Sequence, residues 1–321
     1  MSLTLFRANP AEQLSGEPAR RGAKPRIGFA LGAGVARGWA HIGALRELID
    51  IGITPDVVVG ASIGAVVGGC YAAGRLDALE DFARALTKRS VFNFIDVSFR
   101  GGGLMGGDKL RARLEASLGQ QRIENLPLRF VAVATEMRTG HEVWLKAGLM
   151  VNAMRASYAL PGIFEPVRIG GRWLFDGAII NPVPVNVARA FGADWVLALG
   201  VGGDGPNGAT HLEIADDEVD PPAAEEPHSG RLWWLRRGSA RAEGSPPNVA
   251  SVMVDTFNIT QDRIMRSRLA GDPPDHMIMM KTKSIGLFEF HRAAELIELG
   301  RASVRKAAPE LMEQLKDALA P

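Results

Sequence analysis

The chain has one cysteine, Cys70, among 321 residues, so neither an intrachain disulfide nor a cysteine-based zinc site can form within it. Neither sign of charge is in excess. The 37 Lys and Arg residues face 36 Asp and Glu, and a net charge of +1 gives no global pull toward nucleic acid. No apolar run reaches the ~18–20 residues that span a bilayer. Ile63 to Ala73 is apolar and rich in small residues, and it reads as a buried helix. The segment before Ile27 carries Arg7, Arg20 and Arg21 but no apolar stretch of ~7–15 residues leading to a small-residue cleavage site, so no secretory leader is expected. Together these absences make the cytoplasm the expected compartment. With 46% hydrophobic and 23% charged residues, the chain is neither a disordered nor a collagen-like polymer, and at ~100–200 residues per domain it holds one large domain or two ordinary ones.

Hydrophobic periodicity organises the chain. Ile27 to Leu31 is a short apolar run ending in glycines, and Trp39, Ile42, Leu45, Leu48 and Ile49 follow at helical spacing. Val57-Val58-Val59 is a second strand, leading through Gly60 to Gly64 into an apolar helix. Two such units in close succession predict an α/β fold with a mostly parallel sheet covered by helices. Further helices are expected at Leu76 to Lys88 and Asp108 to Leu118. Strands are expected at Leu128 to Ala134, Glu142 to Leu145 and Trp195 to Gly200, and a hairpin across Gly170-Gly171. From 203 to 247 the periodicity vanishes into Pro, Gly, Ala and Ser, the pattern of a long insertion. A helix from Val249, a strand at His276 to Met280 and helices from Phe290 to Leu319 complete the chain. The first 25 residues read as a flexible leader to a domain covering 26–321.

Gly60-Ala61-Ser62-Ile63-Gly64 is a G-x-S-x-G between an expected strand and an expected helix. On such a turn a serine is exposed as a nucleophile, with the helix N-terminus behind it favouring negative charge. The plainer alternative is a glycine turn in which Ser62 caps the helix. The glycine-rich Gly32-Ala33-Gly34-Val35-Ala36-Arg37-Gly38 follows the first strand and offers successive N–H groups to an anion. One use is dinucleotide binding, but the second strand ends in Gly60-Ala61-Ser62 where a ribose-binding acid belongs. The other is an oxyanion hole for a carbonyl attacked by Ser62. A serine needs a base, and no histidine stands in a catalytic-loop context: His41 on the first helix reads as packing or loop support. Asp176-Gly177-Ala178, after the Trp173-Leu174-Phe175 strand, is an alternative base and equally an ordinary turn.

These blocks, together with Ala156-Ser157-Tyr158-Ala159-Leu160-Pro161-Gly162-Ile163-Phe164-Glu165-Pro166, resemble the bacterial patatin-like phospholipases, relatives of plant patatin and of the catalytic region of neuropathy target esterase. The resemblance runs strongly from Arg26 to Gly202 and more weakly from Asp275 to Arg301. It implies a three-layer αβα fold and a Ser-Asp dyad, with Ser62 as nucleophile, Asp176 as base and an acyl-enzyme intermediate. It further implies an oxyanion hole from Gly32, Ala33, Gly34, Val35, Arg37 and Gly38, an elbow closed by Gly60 and Gly64, and a DGA motif completed by Gly177 and Ala178. The implied substrates are phospholipid or lysophospholipid esters, with no metal or organic cofactor. Acyl transfer to another alcohol and a non-catalytic nucleotide-binding or regulatory module are the alternatives. Many family members carry glycine where this chain has Ala33 and Val35. Arg37 either orients the loop or meets a lipid phosphate. Trp233 and Trp234, flanked by Arg231, Arg236 and Arg237 in the insertion, suit peripheral contact with a membrane's inner face.

Overall fold

The computed structural model describes residues 24–89, 108–202, 249–282 and 284–319. The expected leader, but for its last two residues, and the 203–247 insertion with Trp233 and Trp234 lie outside these. The described chain forms an eight-stranded sheet. Strand β1 (Ile27–Leu31) pairs in parallel with β2 (Val57–Ala61) and with β7 (Trp195–Gly202). Beyond them, β2 pairs in parallel with β3 (Arg129–Glu136) and β7 with β8 (His276–Lys281). Two antiparallel partners lie against β3, β4 (Glu142–Leu145) and β6 (Arg172–Asp176), and β6 forms a hairpin with β5 (Val167–Ile169).

The β-branched runs of β2 and β3 are buried on both faces, the signature of parallel strands between helical layers. Alternate residues divide between two cores. Phe29, Leu31, Val58 and Phe130 pack under α1 (Ala40–Asp50), α2 (Ile63–Ala72), α3 (Leu76–Arg84), α4 (Asp108–Leu118), α5 (Met150–Tyr158) and α8 (Ala293–Leu319). Ala30, Val57, Val59, Val131 and Val133 face α6 (Val185–Ala190) and α7 (Val249–Gly271). The fold is therefore the expected three-layer αβα arrangement with a mostly parallel sheet.

One feature of the pairing brings the site together. Ala132 and Val133 pair with both β2 and β4, and Ala134 and Thr135 pair with both β4 and β6. A strand has only two edges, so β2 and β6 share the edge that β4 leaves open. They approach each other head-on: β2 ends with Ala61 opposite Val133, and β6 ends with Asp176 opposite Ala134. Two helices also cross at contact distance. A Cβ at Gly43 would lie 1.8 Å from the Ile297 carbonyl oxygen, and one at Gly300 1.9 Å from that of Ala40, so α1 and α8 require glycine where they meet.

Candidate active site

Ser62 follows β2 directly and begins α2. Its backbone has φ 57° and ψ −126°, a region that side chains rarely occupy and that costs about 1–3 kcal/mol. The flanking glycines permit this turn. A Cβ at Gly60 would lie 2.4 Å from the Ala65 amide nitrogen, and one at Gly64 2.3 Å from the Leu31 carbonyl oxygen. The local sequence thus folds as an elbow, with Ser62 raised at the C-terminal edge of the sheet.

Across the shared edge of β3, the Ser62 hydroxyl donates to Asp176 Oδ2 at 2.7 Å, between residues 114 positions apart. The other carboxylate oxygen accepts the Ala178 amide at 2.8 Å. Asp176 is buried, and desolvation pushes its pKa up to about 7, against the opposing pull of the bonds from Ala178 and Ser62. A Cβ at Gly177 would lie 2.1 Å from the Val133 carbonyl oxygen, so glycine lets the chain turn against β3 immediately after the acid.

The segment at the end of α5 grips both halves of the pair. Ser157, fully buried, accepts the Ser62 amide at 3.0 Å and donates to the Val133 carbonyl at 2.6 Å. One residue beyond Tyr158, the Ala159 carbonyl accepts the Asp176 amide at 3.0 Å. Sequence reasoning placed Ser157 in a recognisable block but assigned it no task; its only local signal is a polar residue in an apolar helix. Thr135 adds a bond from its hydroxyl to the Asp176 carbonyl at 2.9 Å.

The glycine-rich loop sits beside the elbow, where a Cβ at Gly38 would fall 2.0 Å from Ile63 Cγ2. Its amides divide into two groups. Gly32 donates to the Leu199 carbonyl at 2.8 Å, Ala33 to that of Pro182 at 2.9 Å, and Arg37 to that of Gly34 at 3.0 Å, so these three are engaged within the fold. The amides of Gly34 and Val35, and that of Ile63 after the serine, have no hydrogen-bond partner among the described residues. Val35 holds φ 51°, the left-handed conformation natural to glycine and rare for a β-branched residue. Fully buried His41 supports the loop through a 2.8 Å bond from Nε2 to the Gly32 carbonyl. Burial lowers the His41 pKa to about 4, which keeps the ring neutral, and its Nε2 is committed to the Gly32 carbonyl rather than to Ser62.

The loop is further tied to distant chain. Arg37 Nε donates to the Ile285 carbonyl at 2.7 Å and the Ala36 amide to that of Leu287 at 3.0 Å, within the region of weaker resemblance. Pro182 connects the loop to the stretch after Asp176. That stretch is held from α7, where Arg268 Nε donates to the Ile180 carbonyl at 3.2 Å and the guanidinium pairs with Glu142 at 3.5 Å. Cys70 is buried and its thiol pushed up to about 12, so it is not a second nucleophile. Among the described residues no cluster of three His, Cys, Asp or Glu could hold a metal, and no helix is long and apolar enough to cross a membrane.

The model of the patatin-like phospholipases matches residues 29–189. An uncharacterized NTE family protein of Mycobacterium tuberculosis is 32% identical over 335 aligned positions, covering 90% of this chain and 92% of its own length. Lysophospholipase NTE1 of Pyricularia oryzae is 28% identical over 93% of this chain, which spans 19% of that larger protein. Among solved structures, VipD from Legionella pneumophila superposes with a TM-score of 0.51 at 14% identity, covering 92% of this chain and 68% of that one, a likeness of fold. With half its length under that model and a relative of this identity along nearly all of it, the chain belongs to the patatin-like phospholipase family.

Proposed function

We propose that the protein is a serine lipid acyl hydrolase that cleaves phospholipid or lysophospholipid esters through a Ser62–Asp176 dyad. The observation that carries this reading is the 2.7 Å bond from the Ser62 hydroxyl to a buried carboxylate, made on a strained elbow at the edge of the sheet. In the first step Ser62 Oγ attacks the ester carbonyl carbon while its proton passes to Asp176 Oδ2. The tetrahedral oxyanion is met by the unengaged amides of Gly34, Val35 and Ile63, backed by the N-terminus of α2. Collapse breaks the C–O bond; the departing alcohol takes the proton from Asp176 and the acyl group stays on Ser62. Water then attacks the acyl-enzyme, giving its proton to Asp176, and the fatty acid leaves as the proton returns to Ser62.

A carboxylate of ordinary pKa is a poor base for this sequence. Burial of Asp176, with its pKa pushed up to about 7, supports the assignment because it matches the base to neutral solution. Family membership and the lysophospholipase among the relatives support the lipid class. The test is labelling by a fluorophosphonate, together with hydrolysis of a short-chain p-nitrophenyl ester and of lysophospholipid, by wild type, Ser62→Ala and Asp176→Asn. Labelling at Ser62 with hydrolysis, both lost in folded variants, is expected. A folded wild type that neither labels nor turns over, with or without added lipid, overturns the reading in favour of a binding module. Acyl transfer to an added alcohol in place of water would move the protein to the transferases.

A further inference from the structure

The β5–β6 hairpin extends the sheet beyond the dyad. From Asp176 opposite Ala134 the pairing continues through Phe175 and Leu174, and then Met137 donates its amide to the Trp173 carbonyl at 2.9 Å. Trp173 therefore stands three residues, about 10 Å of strand, past Asp176 and past the C-terminal edge of the parallel strands. It is 51% exposed and its cross-strand neighbour Met137 58% exposed, so two large apolar side chains stand together in solvent. Arg168, paired across the hairpin with Trp173, lies with its guanidinium 6.0 Å over the indole ring. Arg138 and Arg172, the next residues in the chain, are exposed beside this row.

The charge here is uncompensated. Elsewhere on the surface Arg46, Arg84, Arg292, Arg301 and Arg305 are all ion-paired. Arg138, Arg168 and Arg172 have no carboxylate partner among the described residues; the exposed Glu165 before the hairpin makes no ion pair with them. The adjacent Glu136 is buried and accepts from the Thr139 hydroxyl. We infer that this hairpin is a docking surface for an anionic phospholipid bilayer, with Trp173 and Met137 at headgroup level and the three guanidinium groups on lipid phosphates. A second copy of the chain adding to the free edge is disfavoured by Arg168 at the centre of a three-residue edge strand. Docking here turns the edge that carries Ser62 toward the membrane. The inference is independent of the chemistry at Ser62 and involves other residues than the insertion's tryptophans.

The test uses the full chain in the Ser62→Ala background, so that binding is read without catalysis. Co-sedimentation is measured with vesicles of phosphatidylcholine alone and of phosphatidylcholine mixed with phosphatidylglycerol. Salt-sensitive binding to the mixed vesicles is expected, weaker on phosphatidylcholine. At about fivefold per arginine, the combined Arg138→Gln, Arg168→Gln and Arg172→Gln variant should bind roughly a hundredfold less. Trp173→Ala should bind less without changing the salt dependence. Unfolding curves matching the parent separate loss of binding from loss of fold. The inference is overturned if the triple variant binds like its parent, including the case in which only Trp233→Ala/Trp234→Ala abolishes binding. It is equally overturned by the absence of any preference for anionic vesicles, or by a dimer in sedimentation velocity that the triple variant dissociates. Failure of the dyad reading would be seen separately, in wild type on the soluble ester.

Discussion

Asp176→Asn should abolish turnover and, above neutrality, make the protein more stable. In the folded chain desolvation raises the Asp176 pKa from 3.8 to about 7. Between those values the folded state holds a proton that the unfolded state has released, so the wild type loses stability as pH rises through this window and levels off above pH ~7. Three pH units at 1.36 kcal/mol each correspond to about 4 kcal/mol. Asparagine carries no charge and can retain both contacts: its Oδ1 accepts the Ala178 amide while its Nδ2 donates to Ser62 Oγ, the hydroxyl reversing its role. The variant should therefore match wild type near pH 4 and exceed it by about 2–4 kcal/mol at pH 8, roughly 3–6 °C in midpoint for a chain of this size. Thermal or urea unfolding of both proteins at several pH values between 4 and 9 measures this. A pH-independent stability difference, or a variant less stable than wild type at pH 8, would refute the argument that burial without a cationic partner sets the Asp176 pKa.

The same titration governs the rate: kcat/KM on a neutral ester should rise with pH and level off above about 7, because only the ionised Asp176 accepts the Ser62 proton, and a profile flat from pH 5 to 8 would contradict this. Ser157→Ala leaves the Ser62 amide without its acceptor and the Val133 carbonyl without its donor, and should lower stability by about 1–3 kcal/mol and kcat by tenfold or more. Unchanged kcat in that variant would show that the elbow holds its geometry without Ser157. Gly300→Ala puts a methyl group 1.9 Å from the Ala40 carbonyl oxygen between two packed helices; the expected loss of about 3 kcal/mol or more is read by chemical denaturation, and a wild-type midpoint would show that α1 and α8 separate easily.

Alternating strand and helix patterns around Val57-Val58-Val59 and Ile27 to Leu31 determined the parallel sheet, because such strands, buried on both faces, must be written as continuous apolar runs. The Gly60 to Gly64 pentapeptide likewise determined a sharp turn bearing Ser62, since only small residues fit where helix and strand backbones touch. Asp176 was different. From its own neighbourhood Asp-Gly-Ala was as good a turn as a base, and only the resemblance to a family favoured the second reading. One helix boundary also shifted: the helix expected to run to Lys88 ends at Arg84.

Tertiary structure decided the rest. That β2 and β6 converge on one edge of β3 brings Ser62 to Asp176, and no local pattern encodes which edge of a strand a distant segment will occupy. Nor does a row of glycines reveal which of its amides are engaged: Gly32, Ala33 and Arg37 are bonded within the fold, while Gly34 and Val35 have no partner among the described residues. The bond from the Ser62 amide to Ser157, and the burial that raises the pKa of Asp176, arise from packing between segments far apart in the chain. Sequence fixes the side chains and the local turns that carry them. Hydrogen-bond accounting and desolvation depend on everything within a few ångströms, and only the folded chain brings those neighbours together.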